Sequence, residues 1–192
     1  MYRKKIISEQ EKIDVLFNNA GFGLFGSMEE ISLDDAKYQF DVNLFGLSRL
    51  TQLVVPYMRG QRSGKIINTS SVAGKMYGPM VAWYTASKHA LEGWSDCLRL
   101  ELRPFGIDVV IIEPGTIETA FGNLVSERLL EQSGKGPYKN LAHSIAKTAQ
   151  NSSVAGGGSS PNLVANTVST AIAASRPKPD MLLARWRSPS FF

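Results

Sequence analysis

Tyr84 and Lys88 stand four residues apart in Tyr84-Thr85-Ala86-Ser87-Lys88, and Ser71 precedes the tyrosine in Asn68-Thr69-Ser70-Ser71-Val72-Ala73-Gly74. Positions four apart share a helix face, so a helix over residues 83 to 103 would aim the phenol and the ammonium into one space. An isolated tyrosine titrates near pH ~10, and an adjacent cation draws that value toward neutrality, where the phenol can work as a general acid or base. Ser71 could then hold a reacting oxygen by a hydrogen bond. Taken alone, a Tyr and a Lys at this spacing are equally two surface residues, and the two serines equally turn chemistry between a strand and a loop.

Three apolar runs could position these groups. Ile13 to Phe17, ending at Asn18 and Asn19, predicts a buried parallel strand, and Gly64 to Asn68 and Ile107 to Ile112 repeat the pattern. Between the first two, Ser32 with Asp35 three residues on gives a capping-box-like helix start. Phe40, Leu44, Leu47, Val54 and Met58 then recur at helical spacing, and Pro56 should bend or thin the last turns. The second helix, from about Trp83 to Arg103, carries Leu91, Trp94, Leu98 and Leu102 on one face and Ala86, Ala90, Gly93, Cys97 and Leu100 on another. One face would cover the sheet; the other suits either core or a second subunit. Strands alternating with helices predict an α/β fold, a doubly wound parallel sheet with right-handed crossovers and a ligand crevice at the carboxyl ends of its strands. Every residue run singled out for chemistry falls at such an end or on the following helix.

Composition agrees with one α/β domain: 192 residues, 43% hydrophobic and 20% charged, are enough for a sizeable core. No apolar run approaches ~18 residues, and Arg3, Lys4 and Lys5 followed by Glu9 and Glu11 leave no signal-peptide core, so the chain reads as cytoplasmic with no membrane partner. The net charge of +4 gathers at Arg176, Lys178, Arg185 and Arg187 without interleaved aromatics, which argues for a solvated tail and against nucleic acid. The single cysteine, Cys97, is expected to be a buried thiol, and His89 and His143 lack metal spacing, so no metal is expected.

Asn18-Asn19-Ala20-Gly21, Asn43 in Asp41-Val42-Asn43-Leu44-Phe45-Gly46, Ser71, the Tyr84 to Lys88 run and Glu113-Pro114-Gly115-Thr116-Ile117-Glu118-Thr119 together resemble the short-chain dehydrogenase/reductase family in order and spacing. The resemblance is strong from residue 13 to about 120 and loose to about 179. It implies a Rossmann-like oxidoreductase passing hydride between NAD or NADP and an alcohol or ketone. Tyr84 would exchange a proton with the substrate oxygen that Ser71 positions, Lys88 would contact the nicotinamide ribose and lower the Tyr84 pKa, and Asn43 would support Lys88 through water. Asn19, Ala20 and Gly21 would let the backbone approach the adenosine side, while Pro114, Gly115, Ile117 and Thr119 would hold the carboxamide. Homo-oligomers through helices at about 32–60 and 83–103 are implied as well.

Gly21-Phe22-Gly23-Leu24-Phe25-Gly26 spells the dinucleotide fingerprint Gly-x-Gly-x-x-Gly, but the next helix signal waits until Ser32 and no acidic residue closes a following strand, so it is not expected to be a phosphate loop. Only Met1 to Lys12 precede the first strand, where the family places about two βαβ units, roughly 60 residues. The expectation is an N-terminally truncated, single incomplete domain, and a catalytically silent interaction or dimerisation module stands as the alternative to an enzyme. Residues from about 121 to 160, ending in a Gly/Ser-rich stretch, suit a flexible substrate lid. Asn162 to Ser175 suits a helix with Leu163, Val164, Val168 and Ile172 as its apolar stripe, Met181 to Ala184 a last strand, and 185–192 a basic tail. Phe22, Leu24, Phe25, Met76 and Tyr77 are expected near the crevice, pointing to an apolar substrate.

Overall fold

Among the described residues, four short strands pair side by side in sequence order and all in parallel: β1 (Val15–Asn18), β2 (Gly64–Thr69), β3 (Ile107–Pro114) and β4 (Asp180–Leu183). The computed structural model describes residues 9–119, 121–154 and 158–183, and the basic tail expected at 185–192 lies outside them. From Leu33 on, the helices in chain order are α1 (Leu33–Phe40), α2 (Leu47–Gln61), α3 (Ala82–Leu102), α4 (Phe121–Ser133), α5 (Lys139–Val154) and α6 (Pro161–Ala173).

Both faces of the sheet are covered, which is why its central strands read as unbroken apolar runs. On one face Ile66, Ile107 and Val109 pack with Met58 of α2 and Leu102 of α3; on the other Ile67, Val110 and Ile112 pack with Val168 and Ala171 of α6. This is the doubly wound α/β fold anticipated from the strand–helix alternation. Lys65, at the start of β2, donates to the carbonyls of Ala171, Ile172 and Ala174, placing a cation on the negative end of α6.

Ser32 caps α1 as its spacing predicts: its Oγ accepts from the Asp35 N–H at 3.1 Å and its hydroxyl donates to the Asp35 carboxylate at 2.7 Å. The helical path from there to Gln61 departs from α geometry at Asp41–Gly46, a π-helical turn, while α2 runs on through Pro56. Sequence reasoning looked to Pro56 for the irregularity; the structure puts it around Asn43 instead.

Other expectations need correction. Cys97 is exposed, because Gly93, Cys97 and Leu100 occupy the side of α3 facing away from the sheet, and Leu100 is 71% exposed. The segment expected to be loose is a pair of helices, α4 and α5, whose Leu129, Ala142 and Ala146 form a core with Phe25 and Met80. On α6 the inward residues are Val164, Val168 and Ala171, while Leu163 and Ile172 are each 42% exposed.

Gly106 ends the 3₁₀ turn Arg103–Phe105 and opens β3 at φ +71°, where an added Cβ would stand 2.5 Å from the Arg62 carbonyl oxygen. Replacing Gly106 by Ala is therefore expected to cost more than about 1 kcal/mol, from the left-handed backbone and the backbone clash together. Urea unfolding checks this, and an unchanged midpoint would refute it.

Candidate active site

The carboxyl ends of β1, β2 and β3 open onto a cavity of about 900 Å³, within the size range of small-molecule sites. Asn19, Gly21, Ser71, Tyr84, Lys88, Pro114, Gly115, Ile117 and Thr119 all line it. Of the residues singled out in the sequence, Asn43 and Ala20 do not: Asn43 lies behind the wall and Ala20 is exposed outside it. Phe22 and Phe25 supply the expected apolar lining, whereas Leu24, Met76 and Tyr77 do not, and Tyr77 is 85% exposed.

The π-helical turn explains Asn43. Widening the helix there brings an amide to a buried position, and such turns recur at functional sites. Asn43 is 1% exposed; its Oδ1 accepts from the Phe22 N–H at 3.0 Å, and its Nδ2 donates to the Phe22 carbonyl at 2.9 Å and to Ser87 Oγ at 3.1 Å. One side chain thus satisfies both backbone groups of Phe22 and fixes the Gly21 turn against α3. This locks the glycine-rich stretch as a turn, and between Gly21 and Leu33 no helix starts. Ser87 was not anticipated as a site residue; its place beside Lys88 in the Tyr84 to Lys88 run was the available signal.

Lys88 is 5% exposed and donates from Nζ to the Thr69 carbonyl at 2.8 Å, tying α3 to the end of β2. Burial lowers its pKa to about 8, with the charge of Glu92 pulling it back up. Its ammonium lies 5.8 Å from the centre of the Tyr84 ring. The sequence predicted that this cation would depress the tyrosine's pKa. Instead burial raises it, and a hydrogen bond with Ser71 only partly opposes the rise. Phe25, whose ring centre is 5.7 Å from that of Tyr84, contributes to the dry surroundings that disfavour phenolate. The resting form is a neutral phenol, a proton donor.

Ser71 caps the 3₁₀ turn Val72–Gly74, its Oγ accepting from the Ala73 N–H at 3.1 Å and standing 3.5 Å from the Pro114 carbonyl. The opposite wall, Thr116 to Glu118, is held by backbone hydrogen bonds with Ser159 at 2.9 and 3.0 Å. Beneath the cavity a polar chain crosses the fold: Asn18 donates to Thr51 of α2 at 3.4 Å and to its register partner Asn68 at 2.9 Å, and Asn68 donates to Ser95 of α3 at 2.9 Å. The rings of His89 and His143 each contact a backbone carbonyl, and among the described residues no three His, Cys, Asp or Glu gather as a metal cluster.

A doubly wound parallel sheet that gathers a serine, a tyrosine and a buried lysine around one cavity at its carboxyl ends defines a Rossmann-like protein. The family model described as short chain dehydrogenase matches residues 2–129, and the chain belongs to the short-chain dehydrogenase/reductase family. It is 45% identical over 123 residues to a probable short-chain type dehydrogenase/reductase, VdlC, of Helicobacter pylori, covering 62% of this chain and 45% of that protein. It is 46% identical over 118 residues to the 3-ketodihydrosphingosine reductase of Bacteroides thetaiotaomicron, covering 62% of this chain and 44% of that protein. A solved short-chain dehydrogenase/reductase from Burkholderia phymatum, in complex with NAD, matches at a TM-score of 0.75 and 27% identity over 93% of this chain and 64% of that one. The chain spans about half the length of the curated relatives it matches.

A lysine with a folded pKa of about 8 and an ordinary value of 10.5 binds fewer protons folded than unfolded between those limits. Its contribution therefore makes the fold more stable as pH rises through that window, by at most ~1.4 kcal/mol per pH unit. In Lys88→Met that contribution is absent. Chemical denaturation of both proteins from pH 7 to 10 should show wild type gaining on the variant above about pH 8, and parallel curves would contradict the assignment.

Proposed function

We propose that this site belongs to an oxidoreductase that passes hydride between a nicotinamide cofactor, NAD or NADP, and an alcohol or ketone, with Tyr84 as the acid or base. The observation that carries the reading is the convergence of Ser71, a neutral Tyr84 and a buried Lys88 on one cavity. The relative from Bacteroides thetaiotaomicron is named as a reductase of a ketone, and the Burkholderia phymatum structure holds NAD, both of which agree with this reading.

The residues present fit part of such a cofactor. Gly21 offers bare backbone where a Cβ would come within 3.2 Å of Asn43 Oδ1 and 3.8 Å of Lys88 Nζ. Lys88 would hold the ribose hydroxyls; Pro114, Gly115, Ile117 and Thr119 would hold the carboxamide; Asn19 and Gly21, with Ala20 beside them, would meet the adenosine side. When bound, the nicotinamide donates or accepts the hydride.

The protein's own share is proton movement. The Tyr84 phenol gives its proton to a substrate oxygen as negative charge develops there, and Ser71 donates a hydrogen bond to the same oxygen. Lys88, titrating near 8, can restore the tyrosine's proton, and Asn43 would support it from behind the wall by fixing the Gly21 turn. The neutral phenol favours carbonyl reduction near neutral pH. Phe22, Phe25, Val125, Val164 and Val168 around the cavity support an apolar substrate. The proposal includes a cytoplasmic setting, with which the absence of a membrane-crossing helix among the described residues is consistent. It also includes self-association through the outer sides of α2 and α3, where Leu50 and Leu100 are 52% and 71% exposed.

Fluorescence titration with NADH and NADPH should show saturable binding of one or both, and binding of neither would reject the reading. Tyr84→Phe should then keep cofactor affinity while losing ~10²–10⁴-fold in carbonyl reduction. Retained turnover would remove Tyr84 from the acid–base role. In the wild type, reduction should decline as pH rises through about 8, as Lys88 loses its proton; a flat profile to pH 9.5 would contradict the lysine's part.

A further inference from the structure

Three charged side chains that this chemistry does not use meet one helical turn beyond Lys88. Glu92 and Glu113 are 5% and 3% exposed, and the Lys75 ammonium stands 3.0 Å from Glu92 Oε2 and 3.2 Å from Glu113 Oε1. Each comes from an element that carries part of the site. Glu92 follows Tyr84 and Lys88 at successive four-residue steps on α3, all three on or beside the sheet-facing side. Lys75 directly follows the 3₁₀ turn that Ser71 caps, and its N–H bonds back to the Val72 carbonyl at 3.0 Å. Glu113 immediately precedes Pro114 on the cavity wall.

The packing around Glu92 is tight. A Cβ on Gly74 would stand 2.8 Å from both Glu92 Cγ and Oε1 and 2.9 Å from Ser70 Oγ, so the turn presses its backbone onto the carboxylate. Burial, and then the charge of Glu92, raise the Glu113 pKa; Lys75 opposes this and Asp180 adds to it. Burial works against the charge of Lys75, but the hydrogen bonds and charges of Glu92 and Glu113 outweigh it and hold its pKa at about 12. Around Lys88 itself, α3 presents Tyr84 and Glu92, β2 presents the neutral Thr69 carbonyl, and the neutral Asn43 side chain flanks the Gly21 turn next to it. Lys75 on the Ser71 turn and Glu113 on β3 face Lys88 through Glu92, and Asp180 of β4, paired with Arg99 at 3.0 Å, stands behind Glu113.

We propose that Glu92 is a positioning residue for the reaction proposed above. From one turn beyond Lys88 it supplies the negative field that keeps a buried ammonium charged beside Tyr84, and Lys75 sets how much of that field reaches Lys88 while tying the Ser71 turn to α3 and β3. The coupling rests on that functional reading for its purpose, but it can be measured without cofactor.

The measurement is an NMR titration of the Lys88 side chain, assigned by its loss in Lys88→Arg, in the cofactor-free protein. Glu92→Gln should move the Lys88 titration to lower pH by about half a unit or more, and Glu92→Asp should largely restore it. Lys75→Met, at a half-exposed position, should move it to higher pH and gives an independent arm if Glu92→Gln does not fold. Glu113→Gln should leave it in place. In turnover, the alkaline limb should move with the NMR value in each variant, which loss of packing alone would not produce. A Lys88 titration unmoved in both Glu92→Gln and Lys75→Met overturns the proposal. Shifted titrations in a protein that binds neither NADH nor NADPH would support the coupling and reject the oxidoreductase reading, so the two can fail separately.

Discussion

The site is organised around one costly placement, a lysine ammonium buried at the carboxyl end of a parallel sheet. Desolvation disfavours that charge, so the fold must offer it partners. It offers a carbonyl, that of Thr69 at 2.8 Å, and the field of Glu92. The first partner requires β2 to end where it does and α3 to lie across that end. The second requires a carboxylate on the same helix face, itself held by Lys75. Tyr84, one turn before Lys88, is then delivered to the cavity by the same helix, and Ser71 by the loop that leaves β2.

A parallel sheet leaves backbone groups unpaired at its carboxyl end, and here they are satisfied in ways that also fix the walls of the cavity. Asn43 takes both backbone groups of Phe22, Ser159 takes those of Thr116 and Glu118, and the Ser70 N–H donates to the Ile112 carbonyl at 2.8 Å. Below them the chain of Thr51, Asn18, Asn68 and Ser95 links α2, β1, β2 and α3 through buried hydrogen bonds. Site geometry and fold stability are therefore maintained by the same polar groups, and a change at Asn18 or Asn43 acts on both.

Much of the architecture was legible because parallel strands buried on both faces carry unmistakable apolar runs, and because Ser32 with Asp35 marks a helix start through chemistry confined to a few residues. That most of the candidate residues would meet at one cavity was legible because they lie at strand ends or at one-turn helical spacing. What escaped the sequence depends on three-dimensional context. The π-helical turn at Asn43 has no local signature, and Pro56, a strong breaker by propensity, is accommodated within α2. Cys97 was placed inside because cysteine usually is, yet the side of α3 it occupies faces away from the sheet. Helices α4 and α5 were hidden by a neighbouring Gly/Ser-rich stretch, although Leu129, Ala142 and Ala146 supply a core with residues far away in sequence.

The pKa relation between Tyr84 and Lys88 was misjudged for a related reason. Spacing tells which groups are neighbours, and a neighbouring cation lowers a phenol's pKa; spacing does not tell how dry the place is. With both groups buried, desolvation acts on each in the direction of neutrality, raising the tyrosine and lowering the lysine, so the pair rests closer to phenol and amine than its charges in water would suggest. Such a pair has little tendency to ionise the phenol at rest and a high tendency to respond to charge arriving in the cavity. A developing oxyanion next to Tyr84, or a further charge near Lys88, would meet few competing water dipoles there and so act at close to full strength. Glu92 matters in this setting because it is a fixed charge acting through the same poorly screened interior, and the surface exposure of Lys75 is where solvent gains its hold on that field.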